Sequence, residues 1–274
     1  SEIPRKKIDF LLTEPSYSLL FGNLSKAEEM KNQVLTFKTS ELKKHNLTFE
    51  DLEKSFSKPV LSREVSEQVF VSLDLNTILQ GEYPTSGGAI FIDMGGTGKS
   101  MMKESLQKLW KTLGGTVILK NGIAEFSGDV NYATLIESWY LGNSDPRYDK
   151  KGLLEHAYED KVPSLLIVDE AERFIRTSNE NYKDGAADAI STEFKKYLQD
   201  FGSGEGVVGY VLTLFIANIT FEDINEQLRQ GGSRLNPVYF GPPTHLDDWV
   251  ELIDIYFKSA NLKFKYDNDD FKKT

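Results

Sequence analysis

The chain has 274 residues, a formal net charge of −10 and a pI near 5.0, with 39% hydrophobic and 27% charged residues. That length suits one large α/β domain, alone or with a small appendage, and the composition excludes wholesale disorder. The acidic surplus argues against a nucleic-acid backbone as the main partner and makes a protein client the easier reading.

Cysteine is absent, which excludes a disulfide framework and a thiolate metal site, and the three histidines (His45, His156, His245) are scattered rather than clustered. No run approaches the roughly 18 uninterrupted apolar residues of a membrane-spanning helix, and the first residues do not read as a secretory signal. The expectation is a soluble, intracellular protein.

Residues 1–57 are polar, lysine-rich and helical in tendency, with Lys26 to Phe37 and Ser40 to Phe56 the better amphipathic candidates. No chemistry is visible there. From about Lys58 short apolar runs alternate with longer helical patterns, the mark of a parallel sheet flanked by helices.

Ala89 to Asp93 reads as a buried strand, followed by a glycine-rich turn and a helix whose Met102, Leu106, Leu109, Trp110 and Leu113 keep helical spacing. Gly114-Gly115 ends that helix. Thr116 to Lys120 and Ser164 to Val168 read as further strands, and Val207 to Ala217 contains a fourth. Ala186 to Phe201 reads as a helix with Ile190, Phe194, Tyr197 and Phe201 on one face. The expected fold is α/β, with an open, mostly parallel five-stranded sheet whose ligands bind beyond the carboxyl ends of the strands.

Two motifs lie at such strand ends. The first is Asp93-Met-Gly-Gly-Thr-Gly-Lys-Ser100. In the phosphate loop G-x-x-x-x-G-K-[ST], backbone N–H groups wrap the phosphates, the lysine neutralises β and γ oxygens, and the hydroxyl holds Mg2+. Gly98-Lys99-Ser100 is intact. Asp93 stands where the first glycine belongs, and Gly95 and Gly96 are left to supply the backbone freedom. The bland alternative is a glycine turn capping an ordinary helix. A strand before the loop and a helix after it favour a site for ATP with Mg2+, built from Gly95, Gly96, Thr97, Gly98, Lys99, Ser100 and Met101.

The second motif is Leu165-Leu-Ile-Val-Asp169-Glu170, four apolar residues and then two carboxylates. Asp169 is placed to join Ser100 around the metal, and Glu170 to orient or deprotonate the attacking water. A strand ending in two solvated acids is the alternative.

Together the two motifs resemble the AAA family of ring-forming P-loop NTPases, over roughly Leu61 to Pro243. The two prolines and leading glycine usual in that family's loop are here Gly95, Met94 and Asp93. The resemblance implies that Asn218, ending Phe215-Ile-Ala-Asn218, is the sensor that touches the γ-phosphate or lytic water. It implies that Trp139, Tyr140 and Leu141, in Ser138-Trp-Tyr-Leu-Gly-Asn-Ser144, form a pore loop in which Tyr140 grips a polypeptide. The competing reading makes Trp139 and Tyr140 helix-end core residues, since aromatic pairs more often pack than protrude.

Gly152 to Ala157 and Pro163 keep the family's spacing. Arg229 and Arg234 look like its paired arginines, which reach the neighbouring subunit's ATP; here four residues separate them rather than two. The division implied is a helical segment over 1–57, an AAA-type core over 58–243, and over 244–274 the start of an incomplete helical lid. That last segment carries an amphipathic helix at Trp249, Leu252, Ile253, Tyr256 and Phe257.

The function expected from the resemblance is an ATP-hydrolysing ring, of six subunits, that remodels, unfolds or disassembles a protein client. An ATP-dependent switch or assembly factor that never threads a chain is the rival, and a DNA-acting motor is disfavoured by the acidic charge.

Overall fold

The computed structural model describes residues 63–74, 87–112, 114–160, 162–176, 185–198, 211–225, 228 and 235–243, with 246, 249, 250, 252, 253 and 257 beyond them. Its strands are Gly88–Ile92 (β1), Thr116–Asn121 (β2), Ser164–Asp169 (β3), Val211–Ala217 (β4) and Asn236–Tyr239 (β5). Its helices are Arg63–Ser72 (α1), Lys99–Thr112 (α2), Gly122–Glu125 (α3), Tyr132–Leu141 (α4), Leu153–Glu155 (α5), Glu172–Ile175 (α6) and Gly185–Tyr197 (α7). A π-helical turn, His156–Asp160, follows α5.

All five strands are parallel, in the order β2-β3-β4-β1-β5. The sheet is therefore wholly parallel rather than mostly so. β1 and β4 are buried at every position and β3 at all but Asp169, as in a parallel sheet covered by helices, so their side chains are almost all apolar, Ser164 and Thr213 excepted. β2, at an edge, mixes half-buried and exposed positions.

Parallel pairing sets every carboxyl end on one edge of the sheet. In register, Ile92 lies between Ala217 and Tyr239, and Asn121 lies beside Asp169. Both motifs consequently open on the same edge.

Helix α2 covers the sheet with Met102, Leu106, Leu109 and Trp110, all buried. It ends where the Gly115 N–H bonds the Trp110 carbonyl at 2.7 Å. Leu113 lies outside the described residues.

A second cluster joins α3, α4, α6 and α7 to the sheet. Phe194 stacks on Phe174 (5.5 Å, 19°) and meets Phe215 edge-on (4.8 Å, 79°), while Phe126 contacts Trp139, Phe174 and Phe194. Such pairs add about 0.5–1.5 kcal/mol each beyond their area burial.

The segment 1–57, with its two expected helices, lies outside the described residues, as does the expected continuation of α7 to Phe201. Of the amphipathic helix expected near the C-terminus, Trp249, Leu252, Ile253 and Phe257 are helical, and Tyr256 is outside the described residues. Among the described residues, no helix is long and apolar enough to cross a membrane.

Candidate functional site

The phosphate-loop motif leaves β1 at Asp93 and enters α2 at Lys99. Gly96 and Gly98 adopt φ of 86° and 96°, a region costly for any residue with a Cβ, so the glycines are what let the loop turn this tightly. Asp93 itself has φ 152°. Its carboxylate accepts the N–H of Met94 and so serves the loop's own backbone. Asp93 thus caps the loop's first amide with its own side chain.

Lys99 is 5% exposed, and its ammonium donates to the carbonyls of Asp93 and Met94, both at 2.7 Å. Thr97 Oγ1 donates to the Met94 carbonyl at 3.2 Å. The lysine thus draws the loop into a closed ring around its own side chain. Burial lowers its pKa, opposed by the carboxylates of Asp93, Glu172 and Asp169. Ser100 is exposed on the first turn of α2, Met101 is half-buried, and the Gly98 carbonyl accepts from the Met102 N–H at 3.0 Å.

Asp169 and Glu170 end β3 on the same sheet edge. Asp169 Oδ1 accepts the Glu170 N–H at 3.0 Å, and Oδ2 pairs with the ammonium of Lys103. Lys103 stands one helical turn beyond Lys99, so α2 presents two cations toward this edge. Sequence reasoning missed Lys103; its i+4 spacing from Lys99 was the available signal.

Glu170, exposed at φ 52°, accepts from Asn121 Nδ2 at 3.3 Å. Asn121 was also missed. Its Oδ1 caps α3 by accepting the Ile123 and Ala124 N–H groups, each at 3.0 Å, which fixes the amide and aims its NH2 at Glu170.

Asn218 follows β4 and is exposed, and its N–H donates to Glu172 Oε2 at 3.4 Å. One sheet edge thus collects the loop 93–101, Asp169, Glu170, Glu172 and Asn218. Arg229 and Arg234 lie outside the described residues.

The pore-loop residues are placed otherwise than expected. Helix α4 runs through Leu141 before Gly142 ends it, so Trp139 and Tyr140 belong to its last turn and face the core, where both are wholly buried. Tyr140 stacks on Tyr197 (4.5 Å, 10°), and its hydroxyl shares a 2.7 Å hydrogen bond with Thr213 Oγ1 in β4. Burial raises its phenol pKa well above the ordinary value. Of the three, only Leu141 reaches solvent, 43% exposed. Trp139 and Tyr140 are accordingly core residues here, the competing reading of the sequence.

Among the described residues, no group of three or more His, Cys, Asp or Glu side chains forms a metal cage. The pair of donors placed for a metal on this edge, the Ser100 hydroxyl and the Asp169 carboxylate, suits a hard cation that keeps most of its ligands as water and phosphate oxygens, as Mg2+ does. Asp169 would exchange Lys103 for such an ion. No protein-family model matches the sequence, and no curated protein matches it.

Proposed function

We propose that this chain binds ATP with Mg2+ and hydrolyses it at the edge formed by residues 93–101, Asp169, Glu170 and Asn218. The observation that carries the reading is a glycine loop, closed around a buried Lys99 at the carboxyl edge of a parallel sheet, beside the paired acids that end β3. A bound Mg2+ would offset phosphate charge and polarise the γ-phosphoryl group.

The chain supplies the rest. Amides of 95–100 wrap the polyanion, aided by the N-terminus of α2, and Lys99 turns from the loop carbonyls to the β and γ oxygens. Ser100 and Asp169 hold the ion's inner or water shell. Glu170, oriented by Asn121, accepts a proton from the attacking water, and Asn218 fixes that water from the adjacent strand end.

The resemblance to AAA ATPases extends the proposal to a ring, of six subunits, in which Arg229 or Arg234 reaches the neighbour's nucleotide and turnover remodels a protein client. A second reading, an ATP-driven switch that reorganises a partner without threading it, is favoured by the inward packing of Trp139 and Tyr140.

The test of the chemistry is Glu170→Gln beside Lys99→Ala. Glu170→Gln should keep ATP binding while turnover falls by about 10²- to 10⁴-fold, and Lys99→Ala should lose binding. Parental turnover in Glu170→Gln would remove that residue from the role, and a parent without Mg2+-dependent nucleotide uptake would remove the whole proposal.

A further inference from the structure

β1 lies between β4 and β5, and its last residue, Ile92, is in register with Ala217 on one side and Tyr239 on the other. Strands that flank a third stand about 9.6 Å apart, twice the usual spacing. Phe221, just past the end of β4, and Tyr239, the last residue of β5, nevertheless bring their ring centroids to 6.2 Å at 52°. The loop after β4 therefore carries Phe221 to Tyr239, near the point from which the phosphate loop departs.

Core and backbone contacts hold this pair in place. Phe221 packs against the core, and the Tyr239 N–H donates to Gln68 Oε1 at 3.3 Å. The next residue, Phe240, is wholly buried against Phe91 at 4.7 Å, with its N–H on the Ile92 carbonyl at 3.0 Å. Tyr239 nonetheless remains 47% exposed, and Met94, in the loop itself, is 69% exposed. One exposed aromatic residue needs no explanation. A fixed aromatic face at the strand end beside the loop, where a polyanion is expected, fits a ligand that joins phosphates to a flat π-system by a short tether.

We infer that Tyr239, backed by Phe221, is the platform on which the base of a bound nucleoside triphosphate stacks. The assignment rests on the phosphate-site reading and adds the base to it. Partial burial, and secondarily the Glu222 carboxylate, raise the Tyr239 pKa and keep the phenol neutral. A stacking face reads no base edge, so this platform alone discriminates little between adenine and guanine.

Calorimetry on the full chain with Mg2+ tests this, using ATP and inorganic tripolyphosphate as separate probes. Tyr239→Ala should weaken ATP about tenfold and leave tripolyphosphate affinity unchanged, while Tyr239→Phe, which keeps the face, should bind ATP like the parent. Unchanged ATP affinity in Tyr239→Ala would overturn the inference and leave the phosphate site standing. Equal losses for both probes would also overturn it, by showing damage to the loop rather than loss of a base contact. A parent that takes up neither probe would instead remove the phosphate site, and this inference with it.

Discussion

Removing the Tyr140 side chain should destabilise the fold rather than release a client. The residue is wholly buried, stacked on Tyr197 and hydrogen-bonded to Thr213, itself wholly buried. Tyr140→Phe deletes the hydroxyl and leaves Thr213 Oγ1 without this partner, a loss of about 1–2 kcal/mol. Thr213→Val strands the phenol in the same way and should cost a similar amount. The double substitution replaces both polar groups by apolar ones, so its cost should fall short of the sum by about 1 kcal/mol, the coupling expected of a direct buried contact. Tyr140→Ala also empties the ring's volume, and should cost about 3–5 kcal/mol. Equilibrium urea denaturation measures all four variants through the midpoint shift at constant slope. The reasoning is refuted if Tyr140→Ala changes stability by less than about 0.5 kcal/mol, or if the two single substitutions simply add. A client-processing defect in Tyr140→Ala is thus interpretable only beside its stability.

Two further predictions concern the same core and the acidic edge. Because burial holds the Tyr140 phenol protonated in the fold while the unfolded chain ionises near pH 10, this group's contribution is intact below about pH 10. It is then lost as pH rises, by about 1.4 kcal/mol per unit; urea midpoints across that range should fall more steeply for the parent than for Tyr140→Phe, and equal slopes would contradict the burial. At the acidic edge, Lys103→Met frees the Asp169 carboxylate from its ammonium partner, so half-maximal nucleotide uptake should need less Mg2+, read by titrating the metal at fixed ATP. An unchanged or increased Mg2+ requirement would mean that Asp169 does not hold the ion.

What the sequence disclosed follows from how local each signal is. β1, β3 and β4 were legible because burial on both faces demands unbroken apolar runs, and α2 because Met102, Leu106, Leu109 and Trp110 repeat at helical spacing. β5 was not located: Asn236-Pro-Val-Tyr239 is four residues with a proline, tolerated only because the strand sits at the edge of the sheet. The orientation of Trp139 and Tyr140 was decided by where α4 stops, and a shift of one residue turns a helical side chain by about 100°. The contact between Asn121 and Glu170 and the ion pair between Lys103 and Asp169 join residues far apart in the chain. Only the sheet register brings these partners together; the i+4 spacing of Lys103 from Lys99 pointed to its side of α2 but not to Asp169.

The pairing of β1 has a consequence for biogenesis. Its hydrogen-bonded neighbours, β4 and β5, are both made more than one hundred residues after it, whereas β2 and β3 can join as soon as they emerge. During synthesis the apolar strand that bears the glycine loop must therefore wait unpartnered, exposed to aggregation or to a holding chaperone, until β4 and β5 have been made. Any nucleotide that needs the finished edge would bind after that wait and favour the completed fold by mass action.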